Sequence, residues 1–514
     1  MCLSLCDNVI LRQRHCFFEN SIETRHFREP RMAAKSTISC QDVPPIQWRS
    51  PLSTSSDTVS ASTTSADETV EIDPATLRRA AWTCSFGSAL EYYDFALYSL
   101  ASALVFGPLF FPSHIPGMGL IASFGTYFLG FAARPFGGIL FGALGDKWGR
   151  KSVLLITVTL MGVASTGIGL LPTFQTIGYW APALLILMRI LQGLGAGAEQ
   201  AGAAVMMTEY APRGRRGFFA SLPFLGIQVG TIIAALVYFV LLFGIDDVTS
   251  GWLWRVPFLL SSVILVVALY MRATLKESPA FAKMREASEE VQEHLGLRAL
   301  LRQSWKTILV GMGLRAAENG GSSIYQVLAL SFVVHTMGMR PLVGTIALIS
   351  AAIIGAFTVP IAGLLSDRFG RVKIYRAFAI VTAVTAFPVW YAFSTGNTIC
   401  VVIALTVALG IGIWGMFGTQ AALLPEMFGA HHRYVAVSLT RETSAVISGG
   451  LTPLFGSFGI AAISHFHLHD AHPGQSAWWV LAIYVILLSL TTIIATFFLP
   501  EPRNRDLLNP KDIL

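Results

Sequence analysis

The sequence predicts an all-α membrane protein of about twelve transmembrane helices in two six-helix pseudo-repeats, and three observations predict it. The 514 residues are 54% hydrophobic and only 13% charged, about half the charged share of a soluble domain. Charge is gathered into blocks separated by apolar runs of roughly 20 residues, the length that crosses a hydrocarbon core as a helix. One polar motif also occurs twice. Gly142-Ala-Leu-Gly-Asp146-Lys-Trp-Gly149-Arg150-Lys151 is echoed by Gly363-Leu-Leu-Ser-Asp367-Arg-Phe-Gly370-Arg371-Val-Lys373, with Gly, Asp, Gly and Arg each displaced by 221 residues. A polar loop repeated between long apolar segments marks a duplicated bundle.

In chain order, residues 1–78 contain no span and form an N-terminal tail. Its Ser/Thr-rich stretch 50–69 lacks apolar periodicity and is expected to be disordered. The first 31 residues differ from the rest in His, Arg and Cys content, so Met32 is a candidate alternative start. The first bundle, 79–274, holds spans at 80–106, 119–143, 152–172, 179–203, 217–244 and 251–274. A linker at 275–303, with Lys276, Glu277, Lys283, Arg285, Glu286, Glu289, Glu290 and Glu293, is the longest polar interruption and separates six helices from six. The second bundle, 304–499, holds spans at 304–336, 341–365, 374–395, 398–424, 434–462 and 476–499, and a short tail, 500–514, follows. All spans are expected to be helices, because backbone polar groups in lipid must be satisfied within the segment and continuous apolar runs do not alternate as barrel strands do.

The net charge of +6 does not imply nucleic acid, because the basic residues follow topology. Lys147, Arg150 and Lys151 lie in the second connection, Arg213, Arg215 and Arg216 in the fourth, and Arg368, Arg371, Lys373 and Arg376 in or near the eighth. Arg433 follows the tenth, and Arg503, Arg505 and Lys511 are in the tail. Connections of opposite parity hold almost no Lys or Arg, Arg340 excepted, so both termini are expected in the cytoplasm. Cys2, Cys6, Cys16, Cys40, Cys84 and Cys400 read as free thiols and show no metal spacing.

A second correspondence accompanies the first. Glu209 and Arg216 flank the fourth connection and Glu426 and Arg433 the tenth, both pairs seven apart and offset by 217. Basic loops alone would explain the arginines but not the matched acids and glycines. Gly142, Asp146, Gly149, Arg150, Glu209, Arg216, Gly363, Asp367, Gly370, Arg371, Glu426 and Arg433 are therefore expected to gate rather than to bind. Glycines permit close helix approach, and the acids can pair with loop arginines or cap a helix N-terminus.

Ionisable side chains at membrane depth are costly unless paired or hydrated, so each is a functional candidate. Glu91 and Asp94 lie three apart on one face of the first span, and either one of them loads a proton or both are held permanently by arginines. Arg189, Gln192 and Glu199 share a stripe of the fourth span. Arg189 suits a carboxylate ligand because a guanidinium grips it through two parallel hydrogen bonds, and a salt bridge to Glu91 or Asp94 is the equal alternative. Arg315 and Glu318 sit mid-span in the seventh segment with Asn319 beside them, Arg315 to ligand or to Glu318, and Glu318 to proton coupling. Tyr93, Gln326 and Gln420 offer hydroxyl or amide contacts. Arg134, Arg255, Arg441 and Glu442 fall nearer span ends and are expected to be structural. His465, His467, His469 and His472 crowd the last external connection and read as a solvated loop.

These loops resemble the signature of the major facilitator superfamily, and further residues resemble its metabolite:proton symporters. The resemblance covers about 80–500 and runs through Glu91-Tyr-Tyr-Asp94-Phe, Ala133-Arg134-Pro135-Phe-Gly-Gly138, Arg189-Ile-Leu-Gln192-Gly, Gly197-Ala-Glu199, Trp254-Arg255-Val-Pro257-Phe, Glu277-Ser-Pro279, Arg315-Ala-Ala-Glu318-Asn319-Gly and Arg433-Tyr434. Leu171-Pro-Thr-Phe-Gln-Thr-Ile-Gly-Tyr-Trp-Ala-Pro182 and Glu426-Met-Phe-Gly-Ala are most similar to the shikimate permease group. Two departures stand out. Gly197-Ala198-Glu199-Gln200 replaces the Gly-Gly-Glu-Trp of many members, and Arg441-Glu442 occupies a stretch that is commonly uncharged.

The resemblance implies a proton-coupled symporter, not an enzyme, importing a small organic acid or zwitterion by alternating access, with proline or betaine uptake and a non-transporting nutrient sensor as alternatives. It implies no cofactor beyond the coupling proton, a small-molecule substrate and the lipid bilayer as partners, and a monomer. No Gly-x-x-x-x-Gly-Lys-[Ser/Thr] loop supplies an ATP motor.

Overall fold

The computed structural model describes residues 74–112, 117–148, 150–197, 199–212, 214–243, 251–274, 297–429, 433–466, 474–503 and 505. The expected tail to residue 73, linker residues 275–296, Gly149 and His467, His469 and His472 lie outside the described residues. So do the side chains of Gly142, Asp146, Arg150, Glu199 and His465.

Among the described residues twelve long helices account for the spans. In the first half these are α1 Pro74–Leu104, α2 Met118–Trp148, α3 Arg150–Leu170, α4 Trp180–Tyr210, α5 Arg216–Leu242 and α6 Val256–Thr274. In the second half α7 runs from Leu297 to Thr336 with a break at Arg315. It is followed by α8 Pro341–Phe369, α9 Arg371–Ser394, α10 Thr398–Glu426, α11 Arg433–Ser464 and α12 Trp478–Phe497. Among the described residues 7 helices meet a strict criterion of length and apolarity for crossing a membrane, and shorter apolar stretches cover Leu155–Leu170 and Leu253–Val267. The other three helices, α1, α2 and α7, carry Glu91 and Asp94, Arg134, and Arg315 and Glu318.

Two boundaries differ from expectation in an informative way. The repeated motif is not a loop: α2 continues to Trp148 and α8 to Phe369, so Gly363 and Asp367 occupy the last turns of a helix. The chain leaves the helix only at Gly370, whose φ of +107° favours glycine. Helix α7 begins at Leu297 rather than 304 because Leu297, Leu300 and Leu301 continue an apolar face at helical spacing.

Close backbone approach sets how the halves meet. At the end where α2 and α8 finish, here the basic end, Gly217 of α5 and Gly363 of α8 face each other across the two halves. A Cβ on either would fall 2.5 Å from the other's carbonyl oxygen, so only glycines allow the crossing. At the opposite end the ring Nε2 of His335 on α7 lies 2.8 Å from the carbonyl of Ala103 on α1, and nearer the centre the hydroxyls of Tyr127 on α2 and Ser323 on α7 are 3.3 Å apart. The halves therefore touch at both ends.

Helix α7 is shaped for its charges. At Arg315 the backbone relaxes to φ −85°, ψ 3°, and the groups this loosens are met by neighbours. Thr492 of α12 inserts its hydroxyl, which donates to Leu314 O (2.9 Å) and accepts from the N–H of Ala317 (2.9 Å). A side chain entering the hydrogen-bond ladder is a recognised cause of a kink. Wider π-helical turns follow at Ile324–Leu328 and Phe332–Thr336, and others lie at Thr406–Ile413 in α10 and Ala445–Gly450 in α11. Such turns gather at functional sites in helices.

Candidate functional site

At 1.5 Å per residue a 31-residue helix is about 46 Å long. Glu91 on α1 and Arg134 on α2 fall near the middle of such helices, and both are buried. The Arg134 guanidinium donates through Nη2 to Glu91 Oε1 at 3.0 Å and sets Nε 2.8 Å from Glu442 Oε2 of α11. One arginine thus joins two helices of the first half to a helix of the second. Burying these charges costs several kcal/mol each unless the pairing is complete, and withdrawing one partner costs about 3–5 kcal/mol.

Arg441, next to Glu442, crosses the interface in the other direction. Its Nη2 donates to Gln200 Oε1 of α4 at 2.6 Å and its Nη1 to Gln420 Oε1 of α10 at 3.1 Å. Below it, Arg315 donates to Glu318 Oε1 (3.0 Å), Asn319 Oδ1 (3.0 Å) and the carbonyl of Arg441 (2.9 Å). The Tyr375 hydroxyl sits 2.9 Å from Glu318 Oε2 and 3.0 Å from Leu314 O, while Asn319 Nδ2 donates to Ser444 Oγ at 3.1 Å. Arg315 is therefore fully engaged with its own helix and with α11.

A second group lies inside the first half. Asp94 accepts from Ser261 Oγ of α6 at 2.8 Å. Arg189 stacks over Tyr98 at 3.8 Å and donates through Nη1 to Gln192 Oε1, whose amide donates to Ser165 Oγ at 2.8 Å. Gly130 makes the room: a Cβ there would run into the Arg189 guanidinium. Among the described residues no carboxylate stands within ion-pair distance of Arg189.

Two small cavities open between these groups. One, of about 30 Å³, is lined by residues of both halves, including Tyr92, Arg134, Gln200, Arg315, Asn319, Arg441 and Glu442. The other, of about 20 Å³, is lined by Glu91, Asp94, Arg134, Arg189 and Gln192 among others. Each has room for a water and not for an organic ligand, so the structure is a closed form in which the site has drawn together. Leaving Glu199 aside, the centre holds four guanidinium groups, Arg134, Arg189, Arg315 and Arg441, and four carboxyl groups, Glu91, Asp94, Glu318 and Glu442.

The structure thus gathers most of the residues the sequence singles out, with some redistribution. Glu91, Asp94, Arg189 and Gln192 line one cavity and Arg315 and Asn319 the other, while Glu318 and Gln420 contact Arg315 and Arg441. Tyr93 turns away: its hydroxyl donates to Pro257 O of α6 at 2.9 Å, and it is Tyr92 that lines the central cavity. Gln326 is buried and donates to Ser322 Oγ. Arg134 is not near a helix end as the sequence suggested but near the middle of its helix, because α2 runs on to Trp148. Arg441 and Glu442 lie in the first third of α11, and both are buried against the cavity between the halves. Their burial beside opposite charge could have been inferred only from which helices face one another. Arg255 does lie at a helix end, half-buried, donating to Leu171 O at 3.0 Å.

At the basic end Asp367 accepts from the backbone N–H of Gly217 (2.8 Å) and of Phe218 (2.9 Å), so an acid of the second half caps the N-terminus of α5 in the first. Arg371 holds that acid (2.7 Å) and also Glu426 (3.1 Å). Arg433 of α11 pairs with Glu209 of α4 across the halves, and Arg216 donates to Arg505 O at 2.7 Å. Glu501 caps α9 by accepting from the N–H groups of Arg371 (2.6 Å) and Val372 (3.1 Å), a contact the sequence reading did not contain.

A two-half helical bundle with paired charge at its centre and acid-capped helix ends between the halves defines a multi-pass membrane transporter, not an enzyme. The model of the Major Facilitator Superfamily matches residues 84–453 and 319–512, and the chain belongs to that family. The Shikimate transporter of Escherichia coli (strain K12) is 34% identical over 80% of this chain and 91% of its own length. The Proline/betaine transporter of the same strain is 30% identical, over 85% and 86% respectively. The proton:xylose symporter XylE bound to 6-bromo-6-deoxy-D-glucose superposes with a TM-score of 0.63 at 18% identity, covering 85% of this chain and 98% of that one, which shows the shared fold.

Proposed function

We propose that the protein is a proton-coupled symporter that imports a small organic acid or zwitterion across a bacterial plasma membrane, with a shikimate-like monocarboxylate as the favoured class. The observation that carries the reading is the balance of charge at the centre. Among the described residues four guanidinium groups oppose four carboxyl groups, and Asp94 accepts from a serine hydroxyl with no cation within ion-pair distance. A proton taken by Asp94 leaves the centre one positive charge in excess, which a ligand carboxylate neutralises. Release of the ligand restores the excess and favours loss of the proton, so each binding step assists the other. Glu91, Glu318 and Glu199 are further candidates for the proton, and Gln192, Asn319, Gln326 and Gln420 for polar contacts to ligand.

The same arrangement suits alternating access. Contacts between the halves exist at both ends in the closed form, and opening the basic end requires Asp367 to leave α5 and Glu209 to part from Arg433. The first copy of the repeated motif, with Asp146 and Arg150, is read as gating in the same way. The distribution of Lys and Arg supports placing this end, with both termini, in the cytoplasm.

Uptake of the labelled acids and zwitterions shikimate, oxoglutarate, citrate, proline and betaine into proteoliposomes tests the reading. Accumulation of one of them above its external concentration, driven by an imposed acid-outside gradient, is the expected result. Saturable binding without accumulation identifies a sensor instead. A resemblance to osmolyte carriers such as the Proline/betaine transporter keeps zwitterions in the panel.

A further inference from the structure

The side chains of Gln200 on α4 and Arg441 on α11 meet at 2.6 Å across the two halves. The amide at 200 offers the guanidinium at 441 an oxygen acceptor.

Arg441 differs from the other interfacial guanidinium groups in its partners. Arg134 is bound by two carboxylates and Arg315 by Glu318. Arg441 has the amide oxygens of Gln200 and Gln420 and lies 5.2 Å over the Phe224 ring, its Nε finds no acceptor, and among the described residues no carboxylate is within ion-pair distance. It is 2% exposed and lines the cavity between the halves. Neutral amides satisfy the N–H geometry of a guanidinium without its charge, and a planar carboxylate satisfies both.

We propose that Arg441, held ready by Gln200 and Gln420, is the specificity-determining residue that receives the ligand's single carboxylate. The proposal rests on the symport reading above and adds to it the residue and the charge of the ligand. With Arg134 and Arg315 occupied by protein carboxylates, Arg441 is, among the described residues that line the cavity between the halves, the guanidinium left to give. A monocarboxylate is matched, and a di- or tricarboxylate brings further charge into a cavity whose other guanidinium groups, Arg134 and Arg315, are already held by protein carboxylates. Because Gln200 belongs to the first half and Gln420 to the second, exchange of the amides for the ligand also unfastens one contact between the halves.

The test uses the full chain in proteoliposomes and compares each transported acid with its carboxamide, shikimate with shikimamide and proline with prolinamide, as competitors of uptake. Wild-type protein is expected to prefer the acid at least tenfold and to ignore oxoglutarate and citrate. In Arg441→Gln the acid-to-amide preference falls to about one, and Arg441→Lys, which keeps the charge but not the fork, retains part of it. Where Arg441→Gln carries no flux, the same ratio is read from ligand-induced shifts in melting temperature of the detergent-purified protein. An unchanged preference in Arg441→Gln, or a di- or tricarboxylate outcompeting the monocarboxylates, overturns the proposal and leaves the symport reading standing. Wild-type protein that accumulates none of the probes overturns both.

Discussion

Replacing Asp367 by Asn should release the basic end. The carboxylate accepts three short hydrogen bonds, from the N–H groups of Gly217 and Phe218 and from Arg371 Nη1, at 2.8, 2.9 and 2.7 Å. An amide of the same shape keeps one acceptor and turns its NH₂ toward a backbone N–H or toward the guanidinium. One charge-assisted bond is lost, at about 1.5–3 kcal/mol, and one buried donor faces another, at about 1–3 kcal/mol. A total of about 3–5 kcal/mol agrees with the cost of removing one partner of a buried pair. At 1.4 kcal/mol per tenfold, the closed form at this end loses two to three orders of magnitude against the open one. Arg371 stays bound to Glu426 within the second half, so folding is spared. The expected result is an uptake rate reduced more than tenfold at equal membrane expression. A cysteine introduced at position 218 should also become markedly more reactive toward a hydrophilic maleimide. Unchanged uptake and unchanged labelling would refute the assignment of Asp367 as a cap that holds the halves together.

Three further outcomes follow from the same geometry. Arg134→Gln and Glu442→Gln should each destabilise the protein by about 3–5 kcal/mol, and the double variant by clearly less than their sum, read as a coupling energy from unfolding of the purified protein; simple additivity would mean that the pair does not act as a unit. Asp94→Asn should abolish accumulation driven by a pH gradient while leaving exchange of labelled for unlabelled substrate across the membrane, and retained accumulation would move the proton to another acid. Thr492→Val, nearly isosteric, should cost about 1–3 kcal/mol by leaving the buried Ala317 N–H without its partner while Leu314 O keeps the Tyr375 hydroxyl, a loss measurable by thermal unfolding.

The spans were legible in the sequence because the hydrocarbon layer imposes a length and forbids unpaired backbone, so apolar runs between charge blocks become helices with little choice. The pairing of Asp367 with Arg371 was marked in the sequence because the motif that carries them occurs twice. Depth was less so. Arg134 was read as near a helix end, but α2 runs to Trp148, and the run of apolar residues alone does not say where the bilayer centre falls on a long helix. The choice between Tyr92 and Tyr93 turned on a rotation of about 100°, which the sequence cannot resolve without knowing what packs on each side. The contact between Gln200 and Arg441 joins residues of different halves, and no local pattern contains it.

The central claim is that substrate enters together with a proton. It is tested most directly by adding substrate to weakly buffered proteoliposomes with no imposed gradient and recording external pH. A transient alkalinisation that accompanies substrate entry in the wild-type protein and is absent in Asp94→Asn is the predicted result. Substrate entry with no change in external pH would contradict it.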